Sequence, residues 1–432
     1  MTSFQSVLAA LAIILVDLLS RAGLDKVLAL MGGPTMVALW AQLQSVVELV
    51  GGVTMAGVLQ GLTVLITQVN DSRDERSLLR NALKLGLSTS LVVALLLALA
   101  APALAVWLTQ RKIETDLFLL AVLTGCFAVV PATLNAYWLG KHRQQRMLLL
   151  ALLTSAIWLL VAASAWSGAS LRGLMWVQSV AMAIIGIVIW RYLNKLYGHK
   201  LSQASNGQEN RTEYFRKLVK FVPVGLAIGI MSPVSMLLVR GMLSGTLSWS
   251  EVGLLQALWR STEWVTATAA GMLSLIFLPR FSATFFSGYG GSARFKREMM
   301  RAAVMVLIPA ACLLLLIFFN QRAMLAMLYD TRFVVSDETA ALIMLGSWIR
   351  IASWLFLFGL FAAHRTRLIM AGEVLSLPLY ALLLWLFSEG MTLERTALLY
   401  LVSYLVYLVF NAVALLYSSR KTNCGKSAIT LA

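Results

Sequence analysis

The residues of this 432-residue sequence that could do chemistry are charged and polar side chains set inside long apolar runs. Asp17, Arg21 and Asp25 recur every four residues. On a helix each then turns only about 40° from the last, so the three share one face and can pair in sequence. Lys26 follows them. Two readings fit this group: a cationic wall tuned by acids, or a ladder that neutralises itself so that its helix can enter a bilayer. Gln42, Gln44, Glu48, Gln60 and Gln68 punctuate the next apolar stretch, among Gly51, Gly52, Gly57 and Gly61. The glycines suit close helix packing, whereas Gln42, Glu48 and Gln60 call for a wet interior. Arg260 and Glu263 are neighbours on one helix face, three residues apart. Arg260 lies ~15 Å from the nearer end of its run, which fits either contact with an anionic ligand or a structural pair with Glu263. Arg350 is similarly deep, has no acid within four residues, and needs either a partner from another helix or an anionic substrate. Arg240, at the end of a run, is placed to snorkel. Asn135 and Trp138 could contact sugar, although an Asn at a helix interface is common. Pro223 and Pro233, with Gly225 and Gly229 between them, make a candidate hinge or a static kink.

This chemistry is recognition of charge rather than bond breaking. The run Asp71, Ser72, Arg73, Asp74, Glu75 sits in a short basic loop and reads as solvated charge. No Gly-rich phosphate loop of the Walker type occurs, so ATP is not a direct energy source. Cys126, Cys312 and Cys424 form neither a disulfide framework nor a metal site, and His142, His199 and His364 stand apart from them in or beside loops. No catalytic residue, metal or cofactor is expected. Asp17, Asp25, Glu48 and Glu263 are candidate tuning or coupling acids, with coupling to a proton gradient, a Na⁺ gradient or the membrane potential left open.

The elements that must hold these residues follow from composition. Hydrophobic residues make up 60% of the chain and charged ones 12%, about half the share of a soluble domain. A water-soluble enzyme is excluded. Apolar runs at 5–30, 37–69, 79–108, 116–140, 147–168, 172–194, 214–243, 250–279, 298–320, 337–363, 368–389 and 393–418 predict twelve transmembrane helices. With the N-terminus cytoplasmic, 24 Lys and Arg fall on the cytoplasmic side and nine on the other, with Arg260 and Arg350 inside spans. That asymmetry places both termini in the cytoplasm. It also accounts for the +16 net charge without nucleic acid as a partner. The polar stretch 196–213 reads as a cytoplasmic linker between six-helix bundles 1–195 and 214–420, with a tail at 421–432. A shift of 214 positions lays Gly33–Gln42 on Leu247–Gln256, with Gln42 on Gln256, and Arg80 on Arg294. Together with the span count, this predicts a duplicated bundle, an architecture of secondary transporters.

Three motifs carry a resemblance. One is Gly32-Gly33-Pro34-Thr35-Met36, followed by Gln42-Leu43-Gln44 and the four glycines. Another is Ser248-Trp249-Ser250-Glu251-Val252-Gly253 with Gln256 and Trp259, and the third is Leu278-Pro279-Arg280. They resemble Wzx-type lipid-linked oligosaccharide flippases of the MOP exporter superfamily, polysaccharide transporter branch. The lipid II flippase branch carries two spans more than the twelve counted here. The resemblance implies an all-α, MATE-like fold of two pseudo-symmetric bundles around a central cavity in the bacterial inner membrane. It further implies transfer of undecaprenyl-pyrophosphate-linked glycan, such as an O-antigen unit, by alternating access. Arg21, Lys26, Arg260 and Arg350 would then face the pyrophosphate, with Gln42, Gln60 and Asn135 as further cavity candidates. Membrane lipids, a polysaccharide polymerase and a chain-length regulator are the implied partners. A cation-coupled multidrug exporter of the same superfamily is the alternative.

Overall fold

The computed structural model describes residues 3–56, 58–67, 69, 72–109, 114–141, 143–197, 215–216, 218–219, 222–285 and 291–429. Every regular element among them is helical, as expected of an apolar chain that must satisfy its own backbone polar groups in hydrocarbon. Nine helices among the described residues are long and apolar enough to cross a membrane, against twelve spans expected. Part of the difference is local. The first two expected spans form one element, α1 (Ser3–Thr54), interrupted at Gly33, whose φ is 64° and which precedes Pro34. Proline drives the residue before it out of the helical region, and glycine accepts a positive φ without steric cost. The seventh and eighth expected spans are helical, as α8 (Val222–Thr246) and α9 (Trp249–Met272), but neither counts among the nine. In α9, Arg260, Glu263 and several Ser and Thr residues dilute the apolar character.

The chain divides into two compact units, 1–245 and 246–432. The expected 196–213 linker lies almost wholly outside the described residues, and α8 groups with the first unit. That unit also contains α2 (Val58–Thr67), α3 (Ser72–Thr109), α4 (Thr115–Phe127), α5 (Val129–Gly140), α6 (Gln144–Trp166) and α7 (Leu171–Tyr197). Here α1 packs chiefly on α6 and α4. Leu62, Ile66, Leu78, Val129 and Leu134 form part of the interior, while Leu91, Leu95 and Leu99 of α3 stay exposed, as befits a lipid-facing surface. The second half of α1 runs antiparallel to α8. Gln42 Nε2 donates to the carbonyls of Leu108 and Leu237 at 2.9 and 3.2 Å. Arg240 donates to Ala41 O and Ser45 Oγ at 3.2 and 2.7 Å. Further along the pair, a Cβ on Gly52 would collide with the Gly229 carbonyl. Pro233, four residues beyond Gly229, cannot donate to that carbonyl within the helix.

In the second unit, α9 is followed by a π-helical turn at Leu273–Phe277 and by α10 (Leu278–Phe285). After α11 (Gly291–Ala302) a second π-helical turn, Ala303–Leu307, leads into α12 (Ile308–Phe319). Pro279 and Pro309 follow these turns, and each leaves the carbonyl four residues back without its helical donor. The unit continues through α13 (Gln321–Leu328), α14 (Asp337–Ala362), α15 (Thr366–Val374), α16 (Leu377–Leu386) and α17 (Leu393–Ile429). Its dominant packing is α14 on α17. The two helices run parallel in a register fixed at several levels. Ser336, the N-cap of α14, donates to Glu394 at 2.9 Å. Ser353 accepts from Asn411 at 2.9 Å. Gly346 and Gly359 leave room for Tyr400 and Leu415, since a Cβ at either would stand 2.6 or 2.7 Å from those side chains.

Candidate functional site

Each unit holds an arginine backed by an aromatic ring, and the two are built differently. In the first unit the four-residue spacing puts Asp17 and Arg21 on one face of α1, with Arg21 Nε 3.0 Å from Asp17 Oδ2. The break at Gly33 returns the chain so that Glu48 comes within 3.9 Å of the same guanidinium. Trp158 of α6 lies beneath it, 5.2 Å from ring centre to Cζ. Arg21 is therefore shared among two carboxylates and one ring. Glu48 is exposed, Asp25 is buried at 5%, and Lys26 is half-buried.

In the second unit α9 begins at a reciprocal cap. Ser248 N donates to Glu251 Oε2 at 2.8 Å, and Glu251 N donates to Ser248 Oγ at 3.2 Å. This motif satisfies the free N–H groups of the first turn, and it spends Glu251 on structure. Three turns on, Arg260 Nη1 meets Glu263 Oε2 at 2.8 Å. Arg350, on α14, rests over Trp354 at 4.7 Å and over Tyr404 of α17 at 5.6 Å. It takes part in none of the ion pairs among the described residues. Glu263 and Glu373 are the carboxylates whose charge acts on it. Tyr407 donates to Glu373 at 2.9 Å, and Tyr400, Tyr404 and Tyr407 form a run of edge-to-face rings along α17. Ser347 joins Thr262 to this run, donating to its Oγ1 at 3.1 Å while lying 3.4 Å from the Tyr400 hydroxyl.

The structure thus brings Asp17, Arg21 and Glu48 together, and separately Arg260, Glu263 and Arg350. Gln42 is 1% exposed with its amide donating to two carbonyls, so here it pins helices rather than lining a wet interior. Arg240 corrects an expectation: it does not snorkel but is 5% exposed, because its helix face meets α1. Asn135 is exposed on α5, and Trp138 is buried at 7%. The side chains of Gln60 and Pro223 lie outside the described ones, as does Gln68, whereas Pro233 is buried in a continuous helix.

Several residues escaped the sequence reading. Gln178 forms a reciprocal amide pair with Gln44 at 2.8 and 3.0 Å; 134 positions apart, the two give no local signal. Trp158 and Trp354 read as ordinary apolar residues, although Trp354 stands four residues after Arg350. Tyr400, Tyr404 and Tyr407 repeat at helical spacing, a visible stripe. Glu373, a lone acid near the start of an apolar run, was equally visible.

Solved structures similar to this chain include transporters. One is an inward-facing multidrug resistance MATE family transporter of the MOP superfamily, 11% identical over 96% of this chain and 95% of its own, with a TM-score of 0.68. Another is a MOP superfamily transporter from Pyrococcus furiosus whose binding pocket has reversed polarity, 11% identical over 99% and 96%, with a TM-score of 0.64. A Vibrio cholerae MATE transporter variant is 12% identical over 97% and 96%, with a TM-score of 0.61. The extent of structural overlap establishes the MATE-like fold, as the resemblance implied, and with the apolar helices marks a multi-pass membrane protein. No curated protein is significantly similar to the chain. The family model for polysaccharide biosynthesis proteins matches residues 8–285, well over half of the sequence. The chain is a member of the polysaccharide biosynthesis protein family.

Proposed function

We propose that the protein is a flippase that moves undecaprenyl-pyrophosphate-linked oligosaccharide from the cytoplasmic to the periplasmic leaflet of a bacterial inner membrane, by alternating access. Membership of the polysaccharide biosynthesis protein family supports a glycan as the cargo. The observation that carries the reading to named residues is Arg350, a deep cation held by rings rather than by an acid in ion-pair contact. Such a group suits a pyrophosphate, to which arginine offers a planar fork of donors. Arg260 is the second cation of that unit. Both termini stay cytoplasmic, and an ion gradient or the membrane potential drives the cycle. A polysaccharide polymerase and a chain-length regulator act on the delivered glycan.

A second reading, cation-coupled multidrug export, draws on the inward-facing neighbour, a multidrug resistance transporter. The reversed pocket polarity of the Pyrococcus furiosus transporter, which suggests a different function for that protein, supports treating pocket charge as separable from this fold. Cationic drugs need acids free of cations, whereas Asp17 and Glu263 are both paired with arginine. The test is reconstitution of the full chain in proteoliposomes with lipid-linked oligosaccharide in one leaflet. Protein-dependent appearance of the glycan in the other leaflet is the expected result. Transport of a cationic drug with no movement of the glycan overturns the proposal.

A further inference from the structure

Arg350 differs from Arg21 and Arg260 in what surrounds it. Those two each meet a carboxylate in ion-pair contact, at 3.0 and 2.8 Å, whereas Arg350 lies over Trp354 and Tyr404. It is hydrogen-bonded with Tyr400, and feels the charge of Glu263 and Glu373 from beyond ion-pair contact. The physics of the two surroundings is unlike. A carboxylate carries a full opposite charge and cancels the field of the cation beyond the pair. A ring offers only a quadrupole, which attracts the cation and leaves its net charge in place. Away from bulk water that remaining charge acts more strongly on an incoming anion.

The rings are themselves held. Trp354 stands one turn along α14 from Arg350 and so shares its face. Tyr404 is 1% exposed and packs against Tyr400 and Tyr407 with ring centres 4.8 and 6.2 Å away. Tyr407 is tied to Glu373, and Tyr400 occupies the notch left by Gly346. The same contacts that set the register of α14 on α17 therefore set the ring under the cation.

We propose that Trp354 and Tyr404 are positioning and specificity-determining residues: they hold Arg350 in place without a carboxylate in ion-pair contact, and thereby select a phosphate or diphosphate oxyanion over neutral and cationic ligands. This rests on the flippase reading and deepens it by naming the groups that fix its reading cation. A lipid headgroup and free diphosphate present the same chemistry, so the test has an arm for each.

The first arm titrates inorganic pyrophosphate into the purified full-length protein by calorimetry, with thermal melting as a check on folding. Trp354→Leu and Tyr404→Leu should each weaken binding about tenfold. Trp354→Phe and Tyr404→Phe keep a ring and should recover most of the affinity, Tyr404→Phe the more completely because tryptophan is the strongest of the aromatic partners. The Phe variants decide the matter even if a Leu variant fails to fold, since a Phe variant that melts normally yet loses affinity as fully as removal of Arg350 overturns the proposal. So does a folded Leu variant that binds as tightly as the unaltered protein, or an unaltered protein that binds no pyrophosphate. The second arm follows lipid-linked oligosaccharide across proteoliposomes. Ring-dependent pyrophosphate binding without glycan movement sustains the inference and defeats the flippase reading. Glycan movement that ignores both rings does the reverse.

Discussion

Arg21 in the first unit and Arg350 in the second are both arginines set deep in an apolar chain, and each lies over a tryptophan. They part at the second partner. Asp17 and Glu48 approach Arg21, whereas Tyr404 approaches Arg350. Placing a charge within a bilayer costs roughly 2.5–3.5 kcal/mol on insertion scales. The first unit offsets that cost by neutralisation, which leaves little field for a ligand. The second offsets it with rings in contact, while Glu263 and Glu373 stand beyond ion-pair distance, and keeps more of the field. The comparison teaches that a cation's depth in the sequence does not measure its availability; the chemistry of its partners does.

The sharpest break of this contrast is Arg350→Ala. Losing two charge-assisted hydrogen bonds to a pyrophosphate, at about 1.5–3 kcal/mol each, predicts a loss of transport of about a hundredfold or more, with protein still present in the membrane. Arg350→Lys should recover only part of it, because lysine meets phosphate as a point charge. Transport assays normalised to membrane protein level check both. Next in size is Arg21→Ala, which takes the ion-pair partner from the part-exposed Asp17 carboxylate and should lower melting stability by about 1 kcal/mol. Adding Asp17→Asn should restore most of the loss, as expected when the stranded partner is removed. A double variant that melts no higher than Arg21→Ala would show that Asp17 is not the partner whose pairing stabilises Arg21, and would remove one side of the contrast. Arg260→Ala should reduce transport several-fold, less than Arg350→Ala, because Glu263 already offsets part of that charge. Smallest is Trp158→Leu. With Asp17 still holding Arg21, transport should fall less than twofold, where Trp354→Leu should reduce pyrophosphate affinity about tenfold.

Much of this was legible in the sequence. Apolar run lengths announce an all-helical membrane protein, and the four-residue spacing of Asp17 and Arg21 foretells their pair. Ser248 with Glu251 marks the start of α9, and Gly33-Pro34 marks the break that brings Glu48 back to Arg21. What stayed hidden depends on which way a helix face turns and on what comes to meet it. Arg240 at the end of an apolar run looks the same whether it reaches for water or for Ser45; only the packing of α8 on α1 decides. Arg350 announced its need for a partner but not the partner's identity. Tyr404 is 54 positions away and reaches it through a register set by Ser336, Glu394, Gly346 and Tyr400. Twelve apolar runs predict twelve spans, yet a break without a charged loop makes one element of two, so apolar runs and helices differ in number at Gly33.

The central claim is that an aromatic-backed cation in the second unit reads the anionic headgroup of a lipid-linked glycan. Its most direct measurement is translocation of undecaprenyl-pyrophosphate-linked oligosaccharide in proteoliposomes by three proteins side by side: the unaltered chain, Arg350→Ala, and the double variant Asp17→Asn with Arg21→Ala. The account predicts robust transfer by the first, near-complete loss in the second, and substantial transfer by the third. Normal transfer by Arg350→Ala, with none by the double variant, would contradict it and move the reading cation to the first unit.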